Sequence, residues 1–119
     1  MICRLLDANQ PWRVTMKVHT DESAVPPELR PTLRMVACAF GDELPDFWYY
    51  PLMILLAKNL SFRQGAKLFA YMCGVKYSEA YDDILGVDSK HPPPYDPGDL
   101  AEVEQRLRRC GYEEWSRLP

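Results

Sequence analysis

The sequence predicts an α+β domain dominated by helix: an N-terminal two-stranded β-hairpin followed by four or five packed helices. Three observations carry that expectation. Residues 12–18 alternate, with Trp12, Val14, Met16 and Val18 on one side and Arg13, Thr15 and Lys17 on the other, which is the period of a half-buried strand. From residue 31 onward the apolar residues recur at spacings of three and four, the period of an amphipathic helix. Glycines stand where those stretches stop, at Gly41, Gly74, Gly86 and Gly111, as expected where a helix ends on a left-handed residue.

A length of 119 residues fits one domain, residues 1–119. Folding at this size buries roughly two-thirds of the unfolded surface, enough for one core without staples. Residues 1–20 form the expected hairpin. Residues 31–118 form the helical part, interrupted by a proline-rich loop at 90–98.

The elements follow in order. Residues 2–6 are short and apolar and read as the partner strand. Residues 7–11 are polar and end in Pro11, which suits a hairpin loop. Residues 20–31, rich in acid and proline, are a loop. A helix begins near Pro31, tolerated in a first turn, and carries Leu33, Val36, Ala37 and Phe40 to Gly41. The aromatic run Phe47-Trp48-Tyr49-Tyr50 then meets Pro51. If Asp46 caps a helix there, the proline removes a backbone bond and kinks it; otherwise the helix starts near Tyr50. Residues 52–56 read as a fully apolar helix central to the core.

Ser61 and Gln64 have the spacing of a capping box. The helix they open runs to Cys73 with Phe62, Ala66, Phe69, Ala70 and Cys73 on one stripe. Ser78 caps a short helix with Ala80, Tyr81, Ile84 and Leu85, closed by Gly86. Residues 90–98 are extended and polyproline-like in part. Asp99 and Glu102 form a second capping box for the last long helix. That helix turns Val103, Leu107 and Cys110 inward and ends at Gly111, with Trp115 and Leu118 pinning a short tail.

Composition narrows the function classes. The net charge of −3 opposes general nucleic-acid binding, whose affinity rests on a basic footprint. The longest apolar stretch is six residues, 52–57, and a membrane span needs about 20. The N-terminus carries no secretion-signal pattern. The four cysteines, Cys3, Cys38, Cys73 and Cys110, sit among apolar neighbours at no zinc spacing. They read as buried reduced thiols in a cytoplasmic protein. His19 and His91 stand apart from them, so no nucleophile, base and orienting group can be named together. Asp82, Asp83 and Asp88 lack the spacing of a calcium loop. The glycines are isolated helix stops or loop residues and build no phosphate loop. Neither enzyme, cofactor nor metal is expected.

Residues 62–86 form a helix, a Cys73-Gly74-Val75 turn and a second helix. Ala70, Gly74 and the apolar set Phe69, Cys73, Val75 and Ala80 fall where the helix–turn–helix family keeps its small, turn and buried residues, and this segment resembles that family. The resemblance implies a DNA-binding regulator whose second helix enters the major groove. That helix presents Glu79, Asp82 and Asp83, with only Lys76 and Ser78 at its start, and Asp83 stands where the family is apolar. Phosphates repel such a face. Arg106, Arg108 and Arg109 are flanked by Glu102, Glu104, Glu113 and Glu114 and read as a mixed-charge face.

The expectation that fits best is a non-enzymatic protein-binding inhibitor or adaptor. In class, though not in motif, the chain is similar to bacterial toxin-immunity proteins and phage inhibitors of host defence. Its partner would be a protein with a basic surface, met by Trp48, Tyr49 and Tyr50 and by the acids Glu79, Asp82, Asp83 and Asp88.

Overall fold

The computed structural model describes residues 15–118. The expected strand at residues 2–6, its loop at 7–11 and Cys3 lie outside the described residues. The chain is α+β and mostly helical, with a two-stranded antiparallel sheet near its N-terminal end followed by six helices among the described residues. Strand β1 (Thr15–Lys17) pairs with β2 (Glu43–Pro45) in the register Thr15↔Pro45, Met16↔Leu44, Lys17↔Glu43. Among the described residues the partner of β1 is therefore the segment after Gly41. Three residues are too few to display a period, and only the burial of Leu44 anchors this strand to the core.

Helix α1 (Arg30–Phe40) follows a 3-10 turn at Pro27–Leu29, and Pro31 occupies its first turn. It buries Leu33, Met35, Val36 and Phe40 and stops at Gly41, whose φ of 68° is the left-handed region that a side chain disfavours. The aromatic run resolves in favour of the later helix start. Asp46–Trp48 form a 3-10 turn and α2 (Tyr49–Leu56) begins directly after it. Pro51 is then the third residue of α2, where a backbone N–H has no intrahelical acceptor to lose.

Helix α3 (Phe62–Cys73) has its capping box, with Ser61 Oγ accepting from Gln64 N at 3.1 Å and Ser61 N donating to Gln64 Oε1 at 3.0 Å. Its buried stripe is Gly65, Ala66, Leu68, Phe69 and Met72. Phe62, expected on that stripe, is exposed. Leu68 and Met72 are buried in its place. Helix α4 (Tyr77–Val87) begins at Lys76 without a side-chain cap, so Ser78 lies inside the helix, and Gly86 also lies within it rather than ending it. Helices α3 and α4 pack closely: a methyl group on Gly65 would overlap Cδ1 of the buried Ile84.

Helix α5 (Pro97–Arg108) is capped by Asp96, which accepts from Gly98 N at 2.8 Å. The expected cap Asp99 sits one turn in and accepts from Trp48 Nε1 at 3.2 Å instead. Pro97 decides the choice, since its fixed φ suits the first helical position. The proline-rich connection therefore ends at residue 96. Gly111 turns the chain into α6 (Tyr112–Ser116). The buried Trp115 donates its indole N–H to the buried Thr32 at 2.7 Å, so the tail is pinned as expected, although Leu118 remains exposed.

The thiol expectation fails for two cysteines. Cys38, exposed near the end of α1, and Cys110, just after α5, form a disulfide with Cα atoms 5.9 Å apart. They are 72 residues apart in sequence, and only the packing of α1 beside α5 brings them together. Cys73 is free and half-buried. Closing a loop of that length removes unfolded-state entropy worth up to about 4 kcal/mol. Replacing Cys110 by Ala, or adding a dithiol reductant, is expected to lower the unfolding free energy by about 2–4 kcal/mol in urea titrations. A midpoint unchanged by reduction would remove this cross-link from the account of stability.

Candidate functional site

The sequence-selected residues divide into those the fold collects and those it does not. Trp48 is core: its ring lies 5.8 Å from Phe40 and its N–H is taken by Asp99. The Arg106 guanidinium stacks over it at 4.7 Å. Tyr49 is buried with its ring edge-on to Phe69 at 5.5 Å. Tyr50 is half-buried beside it, 5.2 Å between ring centres. On α4, Glu79 and Asp82 are exposed and Asp83 is half-buried, while Asp88 is exposed past the end of the helix.

A groove of about 230 Å³ gathers four of these: Tyr49, Tyr50, Glu79 and Asp83. Met16 from β1, Val75 from the α3–α4 turn and Asp46 complete its walls. Asp82 lies outside the groove on the solvent side of α4, and Asp88 lies at the far end near Lys58 and Ala57. Met16, Val75 and Asp46 were not selected from the sequence as binding residues. Their place depends on β1 crossing to β2 and on the α3–α4 turn, neither of which is a local signal.

One contact organises the groove. The Tyr49 hydroxyl donates to Asp83 Oδ2 at 2.8 Å, which ties the acidic helix to the first residue of α2. Burial, then the hydrogen bond to Asp83, raises the Tyr49 phenol well above its ordinary value. Burial and the same carboxylate raise Tyr50. This also explains why Asp83 tolerates a half-buried position: a phenol supplies the donor that water would otherwise supply.

The surrounding charge is uneven. On α5, Arg106 pairs with Glu102 at 3.4 Å, and Arg108 with Glu104 at 2.7 Å and Glu113 at 3.1 Å. The arginines there are internally matched. Among the described residues, Glu79, Asp82, Asp83 and Asp88 have no ion-pair partner. The crest of α4 therefore carries an unmatched negative field, flanked by the exposed Tyr77 stacked on Tyr81 at 6.0 Å and by the exposed Leu85.

Groups that could do covalent chemistry are placed differently. Burial pushes the Cys73 thiol up to about 12, so it is protonated at neutral pH and a poor nucleophile. His19 is exposed with its ring 5.9 Å from Tyr71, and His91 is exposed in the proline-rich loop. Among the described residues, no three His, Cys, Asp or Glu side chains converge to hold a metal ion, and no helix is long and apolar enough to cross a membrane. A larger groove of about 400 Å³ runs between α1 and the α5–α6 junction, floored by Met35 and Trp115, with the Cys38–Cys110 bond in its wall.

The phenols set a pH dependence. A free tyrosine releases its proton near pH 10. Tyr49 and Tyr50 hold theirs to higher pH when folded, so above that point the unfolded chain binds fewer protons than the native one. Their contribution to stability is complete below about pH 10 and is lost as pH rises past it. Denaturant titrations between about pH 8 and about pH 11 are expected to show falling stability, with a shallower fall in Tyr49→Phe. The same substitution costs about 1–3 kcal/mol at neutral pH, the value of a hydrogen bond to a carboxylate. An identical alkaline slope in wild type and variant would place the titrating groups elsewhere. Compared with known proteins, the chain matches no family model, no curated protein and no solved structure.

Proposed function

We propose that this chain is a non-enzymatic protein-binding module, an inhibitor or adaptor of the bacterial toxin-immunity or phage anti-defence kind, which covers a basic functional surface of its partner. The observation that carries the reading is the unmatched acid on α4 beside the tyrosine-walled groove. Arginines pair with Glu22, Glu102, Glu104 and Glu113; among the described residues Glu79, Asp82, Asp83 and Asp88 have no such pairing and follow one another along a single helix and its end. A row of carboxylates steers a cationic surface toward itself, and the groove with Tyr50, Met16 and Val75 at its walls offers apolar area to a lysine or arginine stem. Tyr49 contributes by holding Asp83 through its hydroxyl, while Trp48 is buried and packs on Phe40 and Arg106.

A helix–turn–helix regulator is the alternative. The three-residue connection of α3 to α4 and the close Gly65–Ile84 approach favour it. The exposed residues of α4 oppose it, since phosphates would meet Glu79 and Asp82. A cytoplasmic location belongs to the main proposal. The Cys38–Cys110 bond bears on it, because disulfides are rare in the cytosol, and alkylation at the moment of cell lysis reads the state of that pair.

The test is affinity capture from the native host with the wild type and with Glu79→Lys/Asp82→Lys. A genuine partner is retained by the wild type at low salt. It is lost as salt rises, and the double reversal weakens its affinity about tenfold or more. A partner held equally by both proteins would remove the acidic face from the mechanism. A gel shift with steep salt dependence would favour the regulator instead.

A further inference from the structure

We propose that the connection between α4 and α5 is a docking motif for a protein domain with an aromatic-lined groove of the WW type, which takes the ridge begun by Pro92 together with the Tyr95 side chain. This goes beyond the acidic-face reading and uses residues on a different element.

The sequence here is His91-Pro92-Pro93-Pro94-Tyr95-Asp96-Pro97. Residues 92–96 belong to no helix or strand. Each proline fixes φ near −65°, and the residue before a proline is driven out of the helical region. Pro92 and Pro93 are subject to both rules, and Asp96, also before a proline, has φ −85° and ψ 123°. These rules favour the polyproline II form at Pro92 and Pro93, which has three residues per turn. Carried on to Tyr95, that period places Pro92 and Tyr95 on one face. Pro93 turns inward, its ring in van der Waals range of the Cβ position of Gly86 on α4. Pro92, Pro94 and Tyr95 are exposed, Tyr95 at 38%. Among the described residues the Tyr95 phenol has no hydrogen-bond or ring partner.

Both ends of the segment are fastened. Ser89 N and Oγ donate to the Gly86 carbonyl at 3.1 and 2.6 Å, and His91 N donates to Ser89 Oγ at 3.2 Å. Asp96 caps α5. The ridge is thus presented already ordered, so a partner would lose little entropy in fixing it. Prolines lack N–H groups and leave their carbonyls free as acceptors, and proline rings pack flat on aromatic side chains. A tyrosine one turn after the first proline adds a second anchor, and tyrosine is among the residues that dominate hot spots.

The structure also separates this class from domains that read two prolines at a spacing of three. Pro94 and Pro97 have that spacing, but Pro97 is the first residue of α5. The second ridge position is therefore bent out of line, and the usable pair is Pro92 with Tyr95.

The experiment titrates the full chain against a purified WW domain that recognises Pro-Pro-x-Tyr peptides, with an SH3 domain as the contrast. Saturable micromolar binding to the WW domain is expected. It is weakened about tenfold or more by Tyr95→Ala and by Pro92→Ala, and unchanged by Glu79→Lys/Asp82→Lys, which separates it from the acidic face. Thermal melts confirm that the loop variants fold, and a peptide of residues 89–97 is expected to compete with the chain for the WW domain. The proposal is overturned by absence of WW binding, by equal binding of Tyr95→Ala, by failure of the peptide to compete, or by SH3 binding of equal strength.

Discussion

Helix α2 has no polar face, and the other elements are arranged to meet that condition. Tyr49, Pro51, Leu52, Met53, Leu55 and Leu56 are all buried, and Ile54 is half-buried. A helix apolar on every side must be covered on every side. Eight residues are also too few to hold a helix alone, since nucleation is costly. Packing therefore creates α2, and each leucine it buries contributes about 1.5–3 kcal/mol. Helices α4 and α5 lie against it, and α6 sends Tyr112 Oη to donate to the Leu55 carbonyl at 3.2 Å. Asn59, just past its end, donates to the Trp115 carbonyl at 2.8 Å. The C-terminal half of the chain is in this sense a wrapping for eight residues in the middle.

That requirement also decides what the surface can carry. A helix that covers α2 with one face must turn the other to water, and α4 and α5 do so in opposite styles. On α5 the outward residues are arginines and glutamates matched to one another. On α4 they are acids and tyrosines. The point where α2 itself reaches the surface is its first turn, at Tyr49 and Tyr50, and there Asp83 of α4 receives the Tyr49 hydroxyl. The groove arises at that seam, between the end of the core helix and the flank of the acidic one.

Local signals were legible in the sequence and long-range ones were not. The stops at Gly41 and Gly74 and the Ser61–Gln64 box are decided within about four residues, and the structure has each of them; the last long helix instead ends at Arg108, and Gly111 opens α6. Asp99 is the cap expected from the sequence, and Asp96, three residues upstream, takes that place. Trp48, 51 residues away from Asp99, needed an acceptor for its N–H, and no pattern near Asp99 announces that. Strand β2 offers one buried leucine and no period. The Cys38–Cys110 bond depends on which helices pack together, and apolar neighbours around a cysteine do not reveal it. In the groove, the tyrosines and carboxylates could be named by type. Met16 and Val75 could not, because each arrives from a separate element.

The distribution of charge along α4 runs against the preferences of a helix. Glu79 in the first turn suits the positive end of the dipole. Asp82 and Asp83 follow it at spacings of three and four, where like charges cost a few tenths of a kcal/mol per pair. Asp88 stands at the negative end, where a carboxylate is disfavoured. Helix α5 follows the dipole and pairing rules more closely, with Asp99 in its first turn, Arg106 and Arg108 in its last, and ion pairs four residues apart. One chain thus holds both patterns, so the acid on α4 does not follow from composition. Among the described residues, Asp83 alone of these acids is compensated, by Tyr49. Local rules broken without an internal gain are expected at functional or strained sites, and the proposed basic partner would supply the compensation that the acidic crest of α4 lacks within the fold.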